Sequence, residues 1–187
     1  MIDLPSGRRF GAFKIGMPKL EYGEAARSRF WWGWMLALVF TGLLVVLVTL
    51  PPFVGASTRS LLMTGFSGVC HQLPDRSPRI DGVALAVCHR CYGIYWGLFL
   101  AVVAFLVMHR WDAFLYRRAP VVLAASLVPL SIDWLGDVLG FWTNTPHSRL
   151  LTGLVFGIVA GYFVARGVIE IVLSRVARTR VPPEQEA

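Results

Sequence analysis

Apolar residues fall in four blocks along this chain, parted by short polar stretches. The first runs from Trp31 to about Leu50 without a charge and is closed by Pro51 and Pro52. An uncharged stretch of that length predicts a transmembrane helix. It is too long for a signal-peptide core, and the residues before it show no signal-type cleavage site. The second block covers about Tyr92 to Met108. The third covers about Ala119 to Leu139 and holds Asp133 and Asp137. The fourth covers about Leu150 to Ile169. Between the first two, Ser60 to Val69 is apolar but too short to cross a bilayer, which predicts an interfacial or re-entrant helix. The expected fold is an all-α integral membrane protein with about four transmembrane helices. Residues 1–30 form a basic arm, 31–172 the transmembrane bundle and 173–187 a tail. A Cys/His-rich loop, 70–91, lies between the first two spans.

Composition agrees with the pattern. Hydrophobic residues make up 56% of the 187, and the mean hydropathy is +0.60. Basic residues then set the orientation. Arg8, Arg9, Lys14, Lys19, Arg27 and Arg29 precede the first span. Arg110, Arg117 and Arg118 join spans two and three, and Arg175, Arg178 and Arg180 follow span four. The opposite side carries only Arg59, Arg76, Arg79, Arg90 and Arg149. The excess of basic loops on one side places both termini in the cytoplasm and the cysteine loop on the outer face of the inner membrane. The net charge of +7 follows from this asymmetry and suits anionic lipid headgroups. No basic stretch interleaves with aromatics, so no nucleic-acid partner is expected. Trp31, Trp32 and Trp34 read as an interfacial belt. The first twenty residues and the tail from Val181 have the composition of disordered segments.

Glycines predict how the spans meet. Gly93 and Gly97 open span two, and Gly153, Gly157 and Gly161 recur every fourth residue in span four. Small residues at that spacing let helix backbones approach in lipid. Spans two and four should therefore pack together near the outer face, with a partner membrane protein as the other use of these faces. The basic arm is a second candidate docking element for a partner. Asp133 and Asp137 share one face of span three, where a charge needs a partner. Arg149, beyond a loop from Gly140 to Ser148, is the expected partner. Arg166 near the inner end is expected to snorkel or to pair with Glu170.

The chemistry concentrates in one short segment. All three cysteines, Cys70, Cys88 and Cys91, lie within 22 residues, beside His71 and His89. Cys88 and Cys91 have the spacing of a two-thiolate pincer on one tetrahedral ion, and Cys70 supplies a third sulfur. His71, His89 or His147 is the candidate fourth ligand. Zinc fits three thiolates and an imidazole. With four protein ligands the centre would be structural. With three and a water it would resemble the centre of a zinc hydrolase or transferase. Asp133, Asp137 and Arg149 would then be the catalytic candidates that orient an anionic headgroup. A thiol–disulfide oxidoreductase is a further alternative, although an odd cysteine count leaves one thiol over. Haem fits less well, since Tyr92 and not histidine follows the Cys-x-x-Cys.

The run Cys70-His71-Gln72, Arg76-Ser77, Gly82 and Cys88-His89-Arg90-Cys91-Tyr92-Gly93-Ile94-Tyr95-Trp96-Gly97 resembles the DUF2085 family of small membrane proteins. Pro129, Asp133, Gly140, Ser148-Arg149 and Thr152-Gly153 extend the resemblance over about residues 60 to 165. It implies a multi-span membrane protein with a thiolate-rich site and implies no reaction. His147 departs from the family pattern, and residues 1–30 lie outside it. The resulting expectation is a metal-stabilised membrane protein, with an accessory role in a larger complex as its setting.

Overall fold

The computed structural model describes residues 24–179. The basic arm up to Gly23 and the tail from Arg180 lie outside the described residues. Seven helices follow in order: α1 (Glu24–Thr49), α2 (Ala56–Ser67), α3 (His89–Val103), α4 (Phe105–Met108), α5 (Asp112–Arg117), α6 (Ala119–Val138) and α7 (Pro146–Thr179). Three of them, α1, α6 and α7, are long and apolar enough to cross a membrane. The fourth span is broken. The helix His89–Val103 and the stretch Phe105–Arg117 meet at 64°, where a single straight span was expected. No proline sits at the break. Instead Asp112, at the start of α5, is drawn inward to a polar partner on α7.

The α3–α7 seam forms as the glycine spacing predicts. A Cβ placed on Gly97 would stand 2.5 Å from the Leu154 carbonyl oxygen and 2.7 Å from the Gly157 Cα. One placed on Gly161 would stand 2.7 Å from the Leu98 Cα. The obstacle is backbone in each case, so only glycine allows this approach. The glycine faces of both helices are thus used within the chain. α1 packs across this pair, with Gly33 against Ile169 and the Trp34 indole N–H donating to the Val102 carbonyl at 2.8 Å. Phe30, Ala37, Val102, Phe105, Tyr162, Ala165 and Ile169 form a core at the end of the bundle away from the cysteines. α6 leans on α7 and leaves Val121, Leu127, Val128 and Ile132 exposed to lipid.

That core encloses a polar knot. Tyr162 donates to the Asp112 carboxylate at 2.5 Å, and Arg166 pairs with the same oxygen. The Arg166 guanidinium also lies over the Tyr116 ring, 4.0 Å from its centroid. The expected Glu170 partner is replaced because Asp112 lies buried beside Tyr162, where a charge inside the bundle gains most from pairing.

At the cysteine end of the bundle the chain leaves α1 through Pro51–Phe53 and enters α2, the short helix expected near Ser60 to Val69. A two-residue hairpin follows, with Ile80 opposite Val83. Its Asp81-Gly82 turn has φ of 50° and 79°. Positive φ at both central positions is the turn that Asp-Gly favours between twisted strands. This hairpin returns the chain to the start of α3.

Candidate metal centre

Three local features bring the sulfurs together. Cys88 is the N-cap of α3 and Cys91 lies in its first turn, so both thiols sit at one helix end. The Tyr92 N–H closes that turn on the Cys88 carbonyl at 2.8 Å. Cys70 arrives from the end of α2. Its sulfur accepts the Cys88 backbone N–H at 3.2 Å. Gln72 fixes the approach. Its side-chain amide donates to the Met63 carbonyl at 2.7 Å and to the Ala86 carbonyl at 2.8 Å, tying α2 to the segment before Cys88. That segment, Leu85 to Val87, is buried, and the Ala86 N–H reaches the Val48 carbonyl at the end of α1.

The three sulfurs lie within 4.8 Å of one another and none is in a disulfide. Around a tetrahedral ion with sulfur at ~2.3 Å, neighbouring sulfurs stand ~3.8 Å apart. The set therefore fits one ion with small adjustments of the side chains. Cys70 is buried, while Cys88 and Cys91 are half-buried. Val48, Ala86 and Val87 are buried beside Cys70, and Met63, Phe66, Tyr92 and Tyr95 pack around them.

No imidazole joins the sulfurs. His71 and His147 are exposed and lie outside the group. His89 Nδ1 is 2.7 Å from the Arg76 carbonyl. A carbonyl only accepts, so Nδ1 carries the proton there. Among the described residues, Cys70, Cys88 and Cys91 are the only Cys, His, Asp or Glu donors brought together in this way.

Hydrogen bonds from the Cys70 thiol and then the Cys91 thiol hold Cys88 well below the usual thiol range, against burial, which pushes it up. In metal-free protein Cys88 should therefore alkylate first with iodoacetamide near pH 6, read by peptide mass spectrometry. Equal labelling of all three cysteines would contradict the shift. Because the folded value is the lower one, the stabilisation from this thiolate is complete above the unfolded value of ~8.5. It is lost as pH falls from there through the folded value.

Residues 70–163 match the family model described as a predicted membrane protein, DUF2085. The chain belongs to this family. An uncharacterized protein of Methanocaldococcus jannaschii is 29% identical over 99 residues, 53% of this chain and 63% of that protein. An uncharacterized protein of Methanothermobacter thermautotrophicus is 37% identical over 95 residues, 50% of this chain and 81% of that one. The chain thus aligns with less than two thirds of the Methanocaldococcus protein. No solved structure matches.

The signature of the DUF2085 family can be followed through the geometry. Cys70, Cys88 and Cys91 supply the sulfurs, and Gln72 clasps α2. Ser77 is buried and donates to the Leu73 carbonyl at 3.0 Å, turning the loop. Arg90, counted in the sequence only as an outer-face charge, reaches Asp133 on α6 at 2.5 Å. Asp137 meets Arg149 at 3.5 Å, as the sequence suggests, and also Arg76 at 3.6 Å. It accepts the Asn144 N–H at 3.2 Å as well. The two carboxylates therefore take separate partners, where one arginine was expected for both. Helical position explains this. Asp133 is one turn deeper than Asp137 and faces the first turn of α3. The signal in the sequence was Arg90, the charged residue inside Cys-x-x-Cys at the head of an apolar helix.

Proposed function

We propose that Cys70, Cys88 and Cys91 hold one metal ion, with zinc as the ion, in a structural centre on the outer face. The observation that carries this reading is the convergence of all three sulfurs of the chain. Its role would be to fasten α2, the hairpin and the end of α1 to the start of α3. That work needs no substrate.

The donor set argues against hydrolysis. Most catalytic zinc sites use imidazoles, alone or with one or two anionic ligands, and a reactive zinc on three thiolates is the less common arrangement of some deaminases. Three thiolates donate more charge and make the ion less electrophilic. Asp133, Asp137, Arg90 and Arg149 are also engaged with one another. A zinc-dependent hydrolase or transferase is therefore the weaker alternative. Thiol–disulfide exchange has one specific support, the lowered Cys88 thiol.

The basic asymmetry supports an inner-membrane location with both termini in the cytoplasm. The small extramembrane mass and the basic arm suit an accessory subunit of a larger membrane complex, embedded among lipids.

Elemental mass spectrometry on detergent-purified protein tests the centre. The expected result is about one zinc per chain in wild type and in Asp133→Asn, and almost none in Cys88→Ser, with reduced yield. Metal-free wild type with reactive thiols, and a Cys70→Ser protein that traps a mixed disulfide, would replace this reading with the redox one.

A further inference from the structure

Every cysteine and histidine of the chain lies among the described residues, and no Asp or Glu of those residues joins the sulfurs. The three sulfurs gather. His71 and His147 point to the surface, and His89 stays outside the group. His109 lies beyond Val103, at the other end of the second span. Zinc held by thiolates takes four ligands. Among the described residues Met63 is the one other sulfur packed on this cluster, and protein zinc sites are built from Cys, His, Asp and Glu.

We infer that the ion at this centre takes its fourth ligand from outside the chain, and that this ligand is a thiol bound as thiolate. The inference rests on the metal reading above. Three observations point to sulfur. The surroundings, Phe66, Tyr92 and Tyr95 with Met63, are aromatic and soft. The neighbouring arginines, Arg90 and Arg149, are already paired with Asp133 and Asp137. Cys88 and Cys91 are only half-buried, so the ion is within reach of a ligand from the surface. A fourth thiolate would complete the all-sulfur set of many closed zinc sites. On binding, the thiol gives its proton to solvent and its sulfur a lone pair to the metal. No electrons are exchanged.

Two sources offer this chemistry, a small free thiol and a cysteine of a neighbouring protein. The test uses the full-length protein in detergent, stripped of metal and reloaded with cobalt(II). The thiolate-to-cobalt charge-transfer band is then titrated with 2-mercaptoethanol. The expected result is a saturable rise of about one third, from three thiolates to four. The variants His71→Ala, His89→Ala, His147→Ala and Met63→Leu should begin from the wild-type spectrum. An unchanged band on adding thiol would overturn the inference. So would any of these variants losing the cobalt spectrum, because an internal ligand would then close the site. Failure of wild type to bind cobalt would instead remove the metal reading beneath it. X-ray absorption on zinc protein, isolated without added thiol, separates the sources. Four sulfurs that survive gel filtration indicate a partner's cysteine, and three with one light atom that become four sulfurs on adding 2-mercaptoethanol indicate an exchangeable small thiol.

Discussion

Gly157→Leu is expected to leave almost no folded protein in detergent, while Gly167→Ala on the same helix should fold normally. Gly157 faces the Ile94 backbone of α3, and its Cα is within reach of Gly97. Ordinary overpacking in a core costs about 1–3 kcal/mol because side chains can shift. Here the obstacle is main chain on both helices, so the whole seam must part. Separation would also carry Arg90 away from Asp133 and loosen the head of α3, where Cys88 and Cys91 sit. Gly167 has open space around its Cα. An alanine there removes glycine's helix penalty of ~1 kcal/mol. Melting followed by size-exclusion chromatography compares the two. A Gly157→Leu protein that melts like wild type would mean that α3 and α7 do not meet as described.

The second large effect is expected at the polar knot. Asp112→Ala leaves Arg166, only 4% exposed, without its carboxylate. Stranding one member of a buried pair costs about 3–5 kcal/mol. The cation–π contact with Tyr116 would remain but offsets only part of that. Replacing both members by apolar residues, Asp112→Leu with Arg166→Met, should restore most of the stability, because neither charge is then buried alone. Thermal melts of the single and double variants decide the point. A double variant no better than Asp112→Ala would show that the two residues act separately.

Much of this was legible in the sequence. Charge-free length gave α1, and glycine spacing gave the pairing of α3 with α7, because both depend on composition at fixed helical intervals. The gathering of Cys70 with Cys88 and Cys91 followed from their closeness along the chain. Partner choice among charges did not follow. Asp133 takes Arg90 and Arg166 takes Asp112, each across tens of residues, since these pairings depend on the depth at which helices cross. The break after Val103 was hidden too, because Phe105 to Met108 continues the apolar run without proline or glycine. Histidines near the cysteines looked like ligands by proximity alone. Adjacent residues need not point the same way: Cys70 is buried and His71 beside it is exposed.

The length of α3 has a consequence for the membrane around it. Fifteen residues rise only ~22 Å, whereas the hydrocarbon layer is ~30 Å thick. The chain turns aside at Ala104 before that depth is covered, and Arg110, Arg117 and Arg118 follow soon after. On this side of the bundle the lipid must come to the protein. The leaflet at the end away from the cysteines should be drawn thinner beside the second span than beside α7, whose 34 residues exceed the bilayer. A protein with such unequal walls imposes hydrophobic mismatch on one flank only. It would favour thin bilayers, and it would gather neighbours whose own short spans relieve the same distortion.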